Sequence, residues 1–373
     1  MHILFAGGGT AGHINPALAV AQYILQKHPD AKISYIGKKG GMEERLVGNL
    51  GIDFYGIKVE GFQRKISFKN ILRNINAAEK VVTSSVISKN LLQQLKPDVV
   101  VGTGGYVSGP VLRQAAKLGI KTCIHEQNAF PGVTTKMLAN LVDTVMLAMP
   151  EAKKRLKLEK NPVITGNPVR GEFLTLEKKA CREKLNIPDK PLLLSSGGSL
   201  GAAPVNNAIC DLIAQKWKDN DIVFMHATGK GGYNEVIDSL KNKGVDINAE
   251  NVIIKDYIDN MGECMVAADL VISRAGAITL SELEVCGKPA ILIPSPYVAE
   301  NHQYHNAMSL KRIGAAEVIE EKDLDGKSLL NTVDGLIHNQ TRLDRMSLKT
   351  KAAAICDSSK RIYDEIMKLY TAH

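Results

Sequence analysis

The chain has 373 residues, and because globular domains average about 150 residues, this length predicts two domains with a cleft between them. Its composition, 45% hydrophobic and 23% charged, is typical of a globular protein and excludes a disordered chain and a fibrous repeat. The sequence contains no uncharged apolar run of ~18 residues, the length that a membrane-spanning helix needs.

The net charge of +8 is distributed unevenly along the chain. Residues 1–165 hold 22 Lys and Arg against 11 Asp and Glu, a net charge of +11, and the remainder holds 25 against 28, a net charge of −3. Such a basic half indicates an anionic partner, which the charge alone leaves open as nucleic acid, a phospholipid surface or a phosphorylated ligand.

Cysteine and histidine patterns give no signal for a metal. The six cysteines are scattered, without a C-x-x-C pair or a regular framework, so we expect reduced thiols and no zinc site. His302 and His305 have a spacing that two metal ligands on a helix would share, but Gln303 and Asn306 alternate with them and favour a polar helix edge facing a ligand. The first six residues predict a buried strand and not a secretory signal, so we expect a cytoplasmic protein.

Strand-like apolar runs alternate with helix-like segments along the whole chain. The strand-like runs are HILFAG, KISYIG, DVVVG, KTCIHE and TVMLAM in the first half, and PLLLSSG, DIVFMHATG, NVIIKDY, DLVISRAG and PAILIP in the second. Continuous Val, Ile and Leu runs are typical of parallel strands that are buried on both faces. The pattern therefore predicts an α/β protein with one doubly wound, Rossmann-like domain in each half.

The domain boundary is predicted where Gly166 and Pro168 interrupt periodic structure. This divides the chain into an N-terminal domain, residues 1–165, and a C-terminal domain, residues 166–357. The last helix-like stretch, about 358–373, is expected to be able to pack back on the first domain.

Two glycine loops in the first half are candidate ligand-binding loops. Gly7 to Gly12 fits G-x-G-x-x-G between a strand and a helix, where N–H groups and the helix dipole attract a diphosphate. A second glycine cluster, 102–110, follows another strand, and the sequence predicts that both loops line one crevice. The second strand ends in Lys38 and Lys39 in place of the acid that would hold a ribose, so NAD is disfavoured and NADP remains an alternative.

The second half carries the pattern of a nucleoside diphosphate site. Residues 273–282, SRAGAITLSE, follow a strand and begin a helix, whose first N–H groups are suited to a diphosphate. Glu282 lies one to two turns inside that helix, where its carboxylate could accept both hydroxyls of a ribose. Residues 198–201, GSLG, supply further backbone and hydroxyl donors near the same crevice.

Seven segments in this order resemble the MurG family of peptidoglycan glycosyltransferases. They lie between residues 7 and 307 and read GGGTAGHINPALAVA, GTGGYVSGPV, HEQNAFPG, TGNPVR, GGSLGA, SRAGAITLSELEVCGKPAILIP and NHQYHNA. Each segment alone is unspecific, but the ordered set covers nearly the whole chain. Members of this family add N-acetylglucosamine to the membrane-linked muramyl-pentapeptide precursor lipid I, which gives lipid II.

The resemblance implies a GT-B glycosyltransferase, with two Rossmann-like, doubly wound parallel-sheet domains facing a central cleft. It implies that residues 1–165 form the acceptor-binding, membrane-facing domain and that residues 166–357 form the UDP-sugar donor domain. It implies inverting transfer from UDP-GlcNAc to the muramyl 4-hydroxyl of undecaprenyl-pyrophosphoryl-MurNAc-pentapeptide, without a metal or a cofactor. The implied partners are UDP-GlcNAc, this lipid-linked acceptor and the anionic inner membrane surface, and nucleic acid is not among them. The implied location is peripheral, at the cytoplasmic face of the cell membrane.

The resemblance also implies residue roles. The residues expected to bind the donor are Arg170, Ser199, Ile258, Ala277, Ile278, Thr279, Leu280, Ser281, Glu282 and Gln303, with Glu282 at the ribose and the Ile258 backbone at the uracil. Those expected to face the transferred sugar from the other domain are Thr10, Ala11, Gly12 and Asn128, and those expected near the acceptor are His13, Tyr106 and Glu126. Two positions depart from the common pattern. Ala11 often corresponds to a glycine, and Leu200 lies where some members have a polar residue.

Inverting transfer needs a base that takes a proton from the acceptor hydroxyl. His13 follows the first glycine loop at a helix N-terminus, where the helix dipole favours the neutral imidazole that a base requires. A histidine at a helix start is also suited to a purely structural hydrogen bond. Glu126 is therefore kept as the alternative base.

Segment 62–80 combines five basic residues and one acidic residue with apolar Ile and Phe side chains. Anionic headgroups attract each cation by about 1 kcal/mol while apolar side chains insert shallowly, so this segment is a candidate membrane contact. A helix that packs on the sheet with solvated lysines is the alternative.

Other functions fit the sequence less well. An NADP-dependent oxidoreductase leaves SRAGAITLSE without a role, and a nucleic-acid-binding module should interleave aromatic residues with its basic patch, yet aromatic residues form only 5% of the chain. A UDP-GlcNAc epimerase with the same fold is the nearest enzymatic alternative, and it would need no lipid acceptor.

Overall fold

The computed structural model describes residues 1–59 and 83–372. It divides into two compact units, unit 1 with Met1–Val169 and Asp357–His373, and unit 2 with Arg170–Cys356. The basic and apolar segment 62–80 lies outside the described residues. None of the described helices has the length and apolar character needed to cross a membrane.

Unit 1 contains a seven-stranded parallel sheet. Its strands are β1 His2–Gly7, β2 Lys32–Lys38, β3 Asp53–Ile57, β4 Val99–Gly104, β5 Lys121–Glu126, β6 Thr144–Leu147 and β7 Val163–Ile164, in the spatial order β3-β2-β1-β4-β5-β6-β7. The helices between them are α1 Ala11–Lys27, α2 Met42–Gly48, α3 with helical residues 83–95, α4 Gly105–Lys117 and α5 Val133–Leu138. Every residue of β1 and β4 is buried, because helices cover both faces of the sheet.

Unit 2 contains a six-stranded parallel sheet with the same winding. Its strands are β8 Leu192–Ser196, β9 Val223–Ala227, β10 Val252–Lys255, β11 Leu270–Ser273, β12 Ala290–Leu292 and β13 Ala316–Val318, in the order β10-β9-β8-β11-β12-β13. Its helices are α6 Lys178–Lys184, α7 Ala203–Lys216, α8 Tyr233–Asn242, α9 Met261–Ala267, α10 Ala277–Cys286, α11 His302–Arg312, α12 Gly326–Ile337 and α13 Gln340–Ala353.

The shared strand order determines where a ligand can bind in each unit. In both sheets the first strand pairs with the second on one side and with the fourth on the other, so the chain winds outward in opposite directions from that point. In open parallel sheets, ligands bind beyond the carboxyl ends of the strands at this switch point. The relevant positions are therefore the ends of β1 and β4 in unit 1 and of β8 and β11 in unit 2.

The last helix, α14 Ser358–Thr371, belongs to unit 1 although the whole of unit 2 precedes it in the chain. Ile362 and Ile366 are buried in the core that α1 forms with β1 and β4. The Tyr363 ring packs edge-on against Tyr23, and its hydroxyl is hydrogen-bonded to Nε2 of His28 at 2.8 Å. The helix thus completes the hydrophobic core of unit 1.

Truncation of this buried face should destabilise unit 1. We expect Ile366→Ala to lower the free energy of unfolding by about 2–5 kcal/mol, because the fully buried side chain leaves a cavity. Urea unfolding monitored by circular dichroism measures the change. Lys360→Ala, on the exposed side of α14, is the matched control and should cost less than ~1 kcal/mol. Equal stability of the two variants would contradict the packing role of α14.

Candidate active site

The two glycine loops of unit 1 touch each other at the switch point. A Cβ added to Gly105 would lie 2.2 Å from the Gly8 carbonyl oxygen, so the backbones of the two loops are in contact and no side chain fits between them. Gly105 also has φ +76, a conformation that side chains disfavour. The sequence-based expectation that both loops line one crevice therefore has a physical basis in this close approach.

His13 lies in the first turn of α1 with its ring against the second loop. A Cβ on Gly104 would be 2.7 Å from its Nδ1, so glycine at that position makes room for the imidazole. Nδ1 is hydrogen-bonded to Oε1 of Gln127 at 3.0 Å. Gln127 directly follows β5 and is buried, so the core of unit 1 holds the ring of a half-buried histidine.

Glu126, the alternative base, is fully engaged in its own loop. Its side chain is buried, and its carboxylate accepts four hydrogen bonds: Oε1 from the backbone N and Nδ2 of Asn128, at 3.1 and 3.2 Å, and Oε2 from the backbone N of Gly132 and Oγ1 of Thr135, at 2.9 and 2.6 Å. These bonds fix the turn between β5 and α5. The carboxylate thus organises the loop that carries Asn128.

The remaining predicted residues of unit 1 lie at the same edge of the sheet. Thr10 is the N-cap residue of α1 and is exposed, as is Ala11, while Gly12 is half-buried. Tyr106, the second residue of α4, is 57% exposed. An exposed tyrosine beside the glycine loops offers both a ring face and a hydroxyl to a ligand.

In unit 2 the loop after β8 is shaped by close backbone approach. A Cβ on Gly229 would lie 2.1 Å from the backbone N of Gly201, so the loops that follow β8 and β9 are in contact. Ser199 and Leu200 form the exposed tip of the first loop, and Leu200 is 87% exposed. Because a leucine side chain cannot donate to a phosphate, only the Ser199 hydroxyl and backbone N–H groups can do so there.

Helix α10 begins directly beyond β11, beside the loop that follows β8. Gly276 is its N-cap, and Ala277–Thr279 form its first turn. The positive end of the helix dipole lies there, which attracts anionic groups. Two further predicted residues lie on α10. The Leu280 side chain is fully buried, and the Ser281 hydroxyl donates a hydrogen bond to the Ala277 carbonyl at 3.3 Å.

Glu282, also on α10, is in an environment unlike that of Glu126. Its pKa is raised to about 7, mainly because burial disfavours the charged form; Arg170 partly opposes this shift, and the Glu172 carboxylate adds to it. Arg170 forms an ion pair with Glu172 at 3.0 Å. Within the described part of unit 2, no hydrogen bond satisfies the Glu282 carboxylate. Glu282 is thus suited to accept hydrogen bonds from a ligand.

Other predicted donor residues of unit 2 hold loops. Oε1 of Gln303, on α11, accepts a hydrogen bond from the backbone N of Ser295 at 2.9 Å, which leaves its amide nitrogen to donate. Ile258, beyond β10, is 3% exposed, so only its backbone is suited to contact a base.

Arg274, Asn306 and Gln127 were not among the residues predicted for the site, although Asn306 was placed on a polar helix edge facing a ligand, and each holds a loop or a side chain in position. Arg274 pairs with Glu321 and donates to the Ile293 carbonyl at 3.2 Å, which ties together the loops after β11 and β12. Asn306 donates to the Ala275 carbonyl at 3.2 Å. Gln127 lies within HEQNAFPG, and no sequence pattern indicates the contacts of its side chain.

No cluster of three or more His, Cys, Asp or Glu side chains placed to hold a metal ion occurs in residues 1–59 and 83–372. The groups that could contact a ligand at the two switch points include backbone N–H groups, hydroxyls, the His13 imidazole and the Glu282 carboxylate.

Comparisons with known proteins define the class of enzyme. Residues 3–147 match the glycosyltransferase family 28 N-terminal domain, and residues 192–362 match the corresponding C-terminal domain. The crystal structure of MurG from Acinetobacter baumannii superposes with a TM-score of 0.80 at 29% identity, and covers 98% of this chain and 99% of that one. The protein is therefore a glycosyltransferase with the GT-B fold, and the predicted fold class is confirmed.

Full-length relatives define the family more narrowly. The chain is 43% identical over 372 residues to the UDP-N-acetylglucosamine--N-acetylmuramyl-(pentapeptide) pyrophosphoryl-undecaprenol N-acetylglucosamine transferase of Acetivibrio thermocellus, with 99% of each chain covered. The enzyme of that name from Ruminiclostridium cellulolyticum is also 43% identical, over 99% of this chain and 100% of the relative. The chain belongs to this family of N-acetylglucosaminyltransferases, the MurG family, which confirms the predicted resemblance.

The raised pKa of Glu282 predicts a stability cost that depends on pH. Between pH ~4.5 and about 7 the carboxyl is ionised in the unfolded chain and protonated in the folded one, so stability falls as the pH rises through this window. We expect Glu282→Gln to be more stable than the native protein at pH 8, by roughly 1–3 kcal/mol, and to lose this advantage at pH 4.5. Urea denaturation at both pH values measures it.

The exposed Glu235 on α8 provides the control for this prediction. Glu235→Gln should change the free energy of unfolding little at either pH, because this side chain is exposed to water in the folded protein. A Glu282→Gln advantage that is the same at both pH values would reject a desolvated carboxylate as its cause.

Proposed function

We propose that this enzyme transfers N-acetylglucosamine from UDP-GlcNAc to the muramyl 4-hydroxyl of undecaprenyl-pyrophosphoryl-MurNAc-pentapeptide, lipid I, and so forms lipid II. The transfer inverts the anomeric carbon and needs no metal ion. The observation that carries the proposal is the combination of an anion-attracting helix start and a carboxylate that accepts no hydrogen bond within the described residues of unit 2, both on α10, in a chain with full-length relatives of that name. A UDP-GlcNAc epimerase or an NADP-dependent oxidoreductase is not favoured, since those relatives are named as transferases.

Unit 2 is the donor-binding unit in this proposal. The diphosphate lies at the first turn of α10 and at Ser199, where N–H groups and a hydroxyl donate to its oxygens. Glu282 accepts from the ribose hydroxyls, which explains why an enzyme retains a carboxylate that is costly to ionise. The backbone of Ile258 holds the uracil, and Gln303 and Arg170 complete the donor contacts.

Unit 1 is the acceptor-binding unit, with His13 as the base. His13 is favoured over Glu126 because the Glu126 carboxylate already accepts four hydrogen bonds, and these would have to break before it could take a proton. Thr10, Ala11, Gly12 and Asn128 face the transferred sugar. Tyr106 contacts the acceptor through its exposed side chain.

The reaction then proceeds as a single displacement. The muramyl 4-oxygen attacks the anomeric carbon of N-acetylglucosamine while His13 Nε2 takes its proton, and the bond from that carbon to the UDP oxygen breaks. The electron pair of this bond remains on the diphosphate. Donors that are already aimed at the diphosphate stabilise its growing charge without a cation.

Transfer in the absence of divalent metal is the main test. With UDP-GlcNAc and a lipid I analogue in EDTA, we expect a disaccharide-linked lipid and UDP, detected by chromatography and mass spectrometry.

His13→Ala should lower kcat by ~10²-fold or more with a modest change in donor KM, as is typical of a lost general base. The same assay on Glu282→Ala should instead raise the donor KM. Free N-acetylglucosamine or an epimerised sugar nucleotide as the sole product would reject the proposed function, and near-normal turnover of His13→Ala would reject the base assignment.

We also propose that unit 1 binds the cytoplasmic face of the cell membrane peripherally, through segment 62–80. The support is the net charge of +11 over residues 1–165 and the basic, apolar composition of this segment, which lies outside the described residues. Among the described residues, two exposed apolar side chains on and beside α5, Met137 and Leu141, are 66% and 53% exposed, and the exposed Lys136 precedes Met137. Cations attract anionic headgroups while the apolar side chains insert.

Vesicle sedimentation tests the membrane proposal. We expect the protein to bind vesicles that contain phosphatidylglycerol, and to be released as salt is raised, because the headgroup attraction is screened. Combined replacement of Lys65, Lys69 and Arg73 by Ser should weaken this binding. Replacement of three lysines of unit 2, Lys230, Lys241 and Lys243, by Ser is the charge-matched control. Equal binding to neutral vesicles, or equal loss in both triple variants, would contradict the assignment to segment 62–80.

A further inference from the structure

A buried chain of hydrogen bonds lies beneath His13 in unit 1. Nδ1 of His13 is 3.0 Å from Oε1 of Gln127, and the Gln127 amide nitrogen is 3.0 Å from Nδ1 of His125. Nε2 of His125 is in turn 2.9 Å from the carbonyl oxygen of Gly166. Gln127 and His125 are 2% and 1% exposed, so water does not compete for these bonds.

The proton positions along this chain follow from its two ends. The Gly166 carbonyl can only accept, so Nε2 of His125 carries a hydrogen. Burial lowers the pKa of His125 to about 4, and the ring is therefore neutral with a lone pair on Nδ1. This lone pair accepts from the Gln127 amide nitrogen.

The orientation of the Gln127 amide is determined independently. Its nitrogen also lies 3.0 Å from each of two backbone carbonyl oxygens, those of Thr103 and His125. An amide oxygen in this position would face two carbonyls without a donor, so only the nitrogen fits. The oxygen of Gln127 consequently points at His13.

We propose that Gln127 is a positioning residue that fixes His13 as the Nδ1–H tautomer. The Gln127 oxygen can only accept, so Nδ1 of His13 donates, and the lone pair of the neutral ring lies on Nε2. Within the described residues of unit 1, Nε2 makes no hydrogen bond. The tautomer assignment stands on these contacts alone, and its consequence for turnover rests on the proposed function of His13 as the base.

An amide suits this position better than a carboxylate would. A carboxylate would meet the carbonyl oxygens of Thr103 and His125 without a donor, at a high cost in a buried site. It would also stabilise the imidazolium and so retain the proton that the base must release after each turnover. A neutral amide orients the ring without that effect.

The direct test is the tautomer itself. In protein with 15N-labelled histidine, at a pH where the ring is neutral, the His13 signals should show a protonated Nδ1 and an unprotonated Nε2. The His13→Ala spectrum assigns these signals by their loss. In Gln127→Met, which has similar volume and no acceptor, the Nε2–H form of His13 should appear. An Nε2–H ring in the native protein would overturn the proposal whether or not any variant folds, as would an unchanged tautomer in a folded Gln127→Met.

Kinetics then tests the consequence. We expect Gln127→Met to lower kcat about tenfold with little change in donor KM, a smaller loss than in His13→Ala, because a freed imidazole still visits the Nδ1–H form part of the time. Thr122→Val is the matched control. It removes the hydrogen bond that the buried Thr122 hydroxyl donates to Asp143, at the opposite end of β5, and should leave the tautomer and kcat unchanged.

The outcomes separate the two proposals. A tautomer change together with a selective loss of kcat supports both the positioning role and the base. A tautomer change while Gln127→Met and His13→Ala both retain turnover supports the assignment and rejects His13 as the base. An equal loss of kcat in Thr122→Val would show that general destabilisation of β5 explains the kinetics, and a positioning role in turnover would be rejected.

Discussion

The contact between Gly105 and the Gly8 carbonyl is the constraint on which the organisation of unit 1 depends. It exists because Gly105 has no side chain, and it brings the loops after β1 and β4 together. Gly104, the preceding residue, then has its α-carbon against the ring of His13. With the ring confined on that side, its Nδ1 reaches Gln127 at the end of the neighbouring strand β5. Three adjacent strands thus determine the position of one imidazole.

Unit 2 uses the same strand order with a different loop contact. Here the loops after β8 and β9 touch, at Gly201 and Gly229, on the side of β8 away from β11. The start of α10 beyond β11 is not part of that contact. One topology therefore supports two kinds of site: in unit 1 the loops press on a side chain that is capable of proton transfer, and in unit 2 they leave a helix end beside a hydroxyl loop, which suits a diphosphate.

The Glu126 and Glu282 carboxylates show how surroundings separate structural from binding roles. Glu126 receives four donors from its own loop, so folding alone satisfies it. Glu282 has no hydrogen-bond donor in the described part of unit 2, and burial raises its pKa to about 7. A protein that keeps such a group accepts a cost in stability that a ligand with hydroxyl donors would relieve. Sequence position alone distinguished these two glutamates poorly, since both lie within family motifs.

The sequence predicted the fold well where burial is strong. All ten apolar runs correspond to strands of the two sheets, because two-sided burial requires continuous Val, Ile and Leu. The strands β3, β7 and β13 were missed. β3 is an edge strand with a charge and a glycine, β7 has only two residues, and β13 is a three-residue edge strand with a glutamate at its centre. The glycine loops were predictable because glycine itself is the signal.

Gln127 was not predictable, because its role comes from contacts that only the folded chain makes. A glutamine at a strand end is usually a solvated residue, and no spacing in the sequence indicates that its amide nitrogen faces two carbonyls and a neutral imidazole. Those three acceptors come from the end of β4 and from His125, so they are assembled only when β4 and β5 pair. The reactivity proposed for His13 is consequently a property of the sheet as a whole. A change that disturbs the pairing at the carboxyl ends of β4 and β5, next to Gln127, would alter the chemistry of a residue on α1 without touching it.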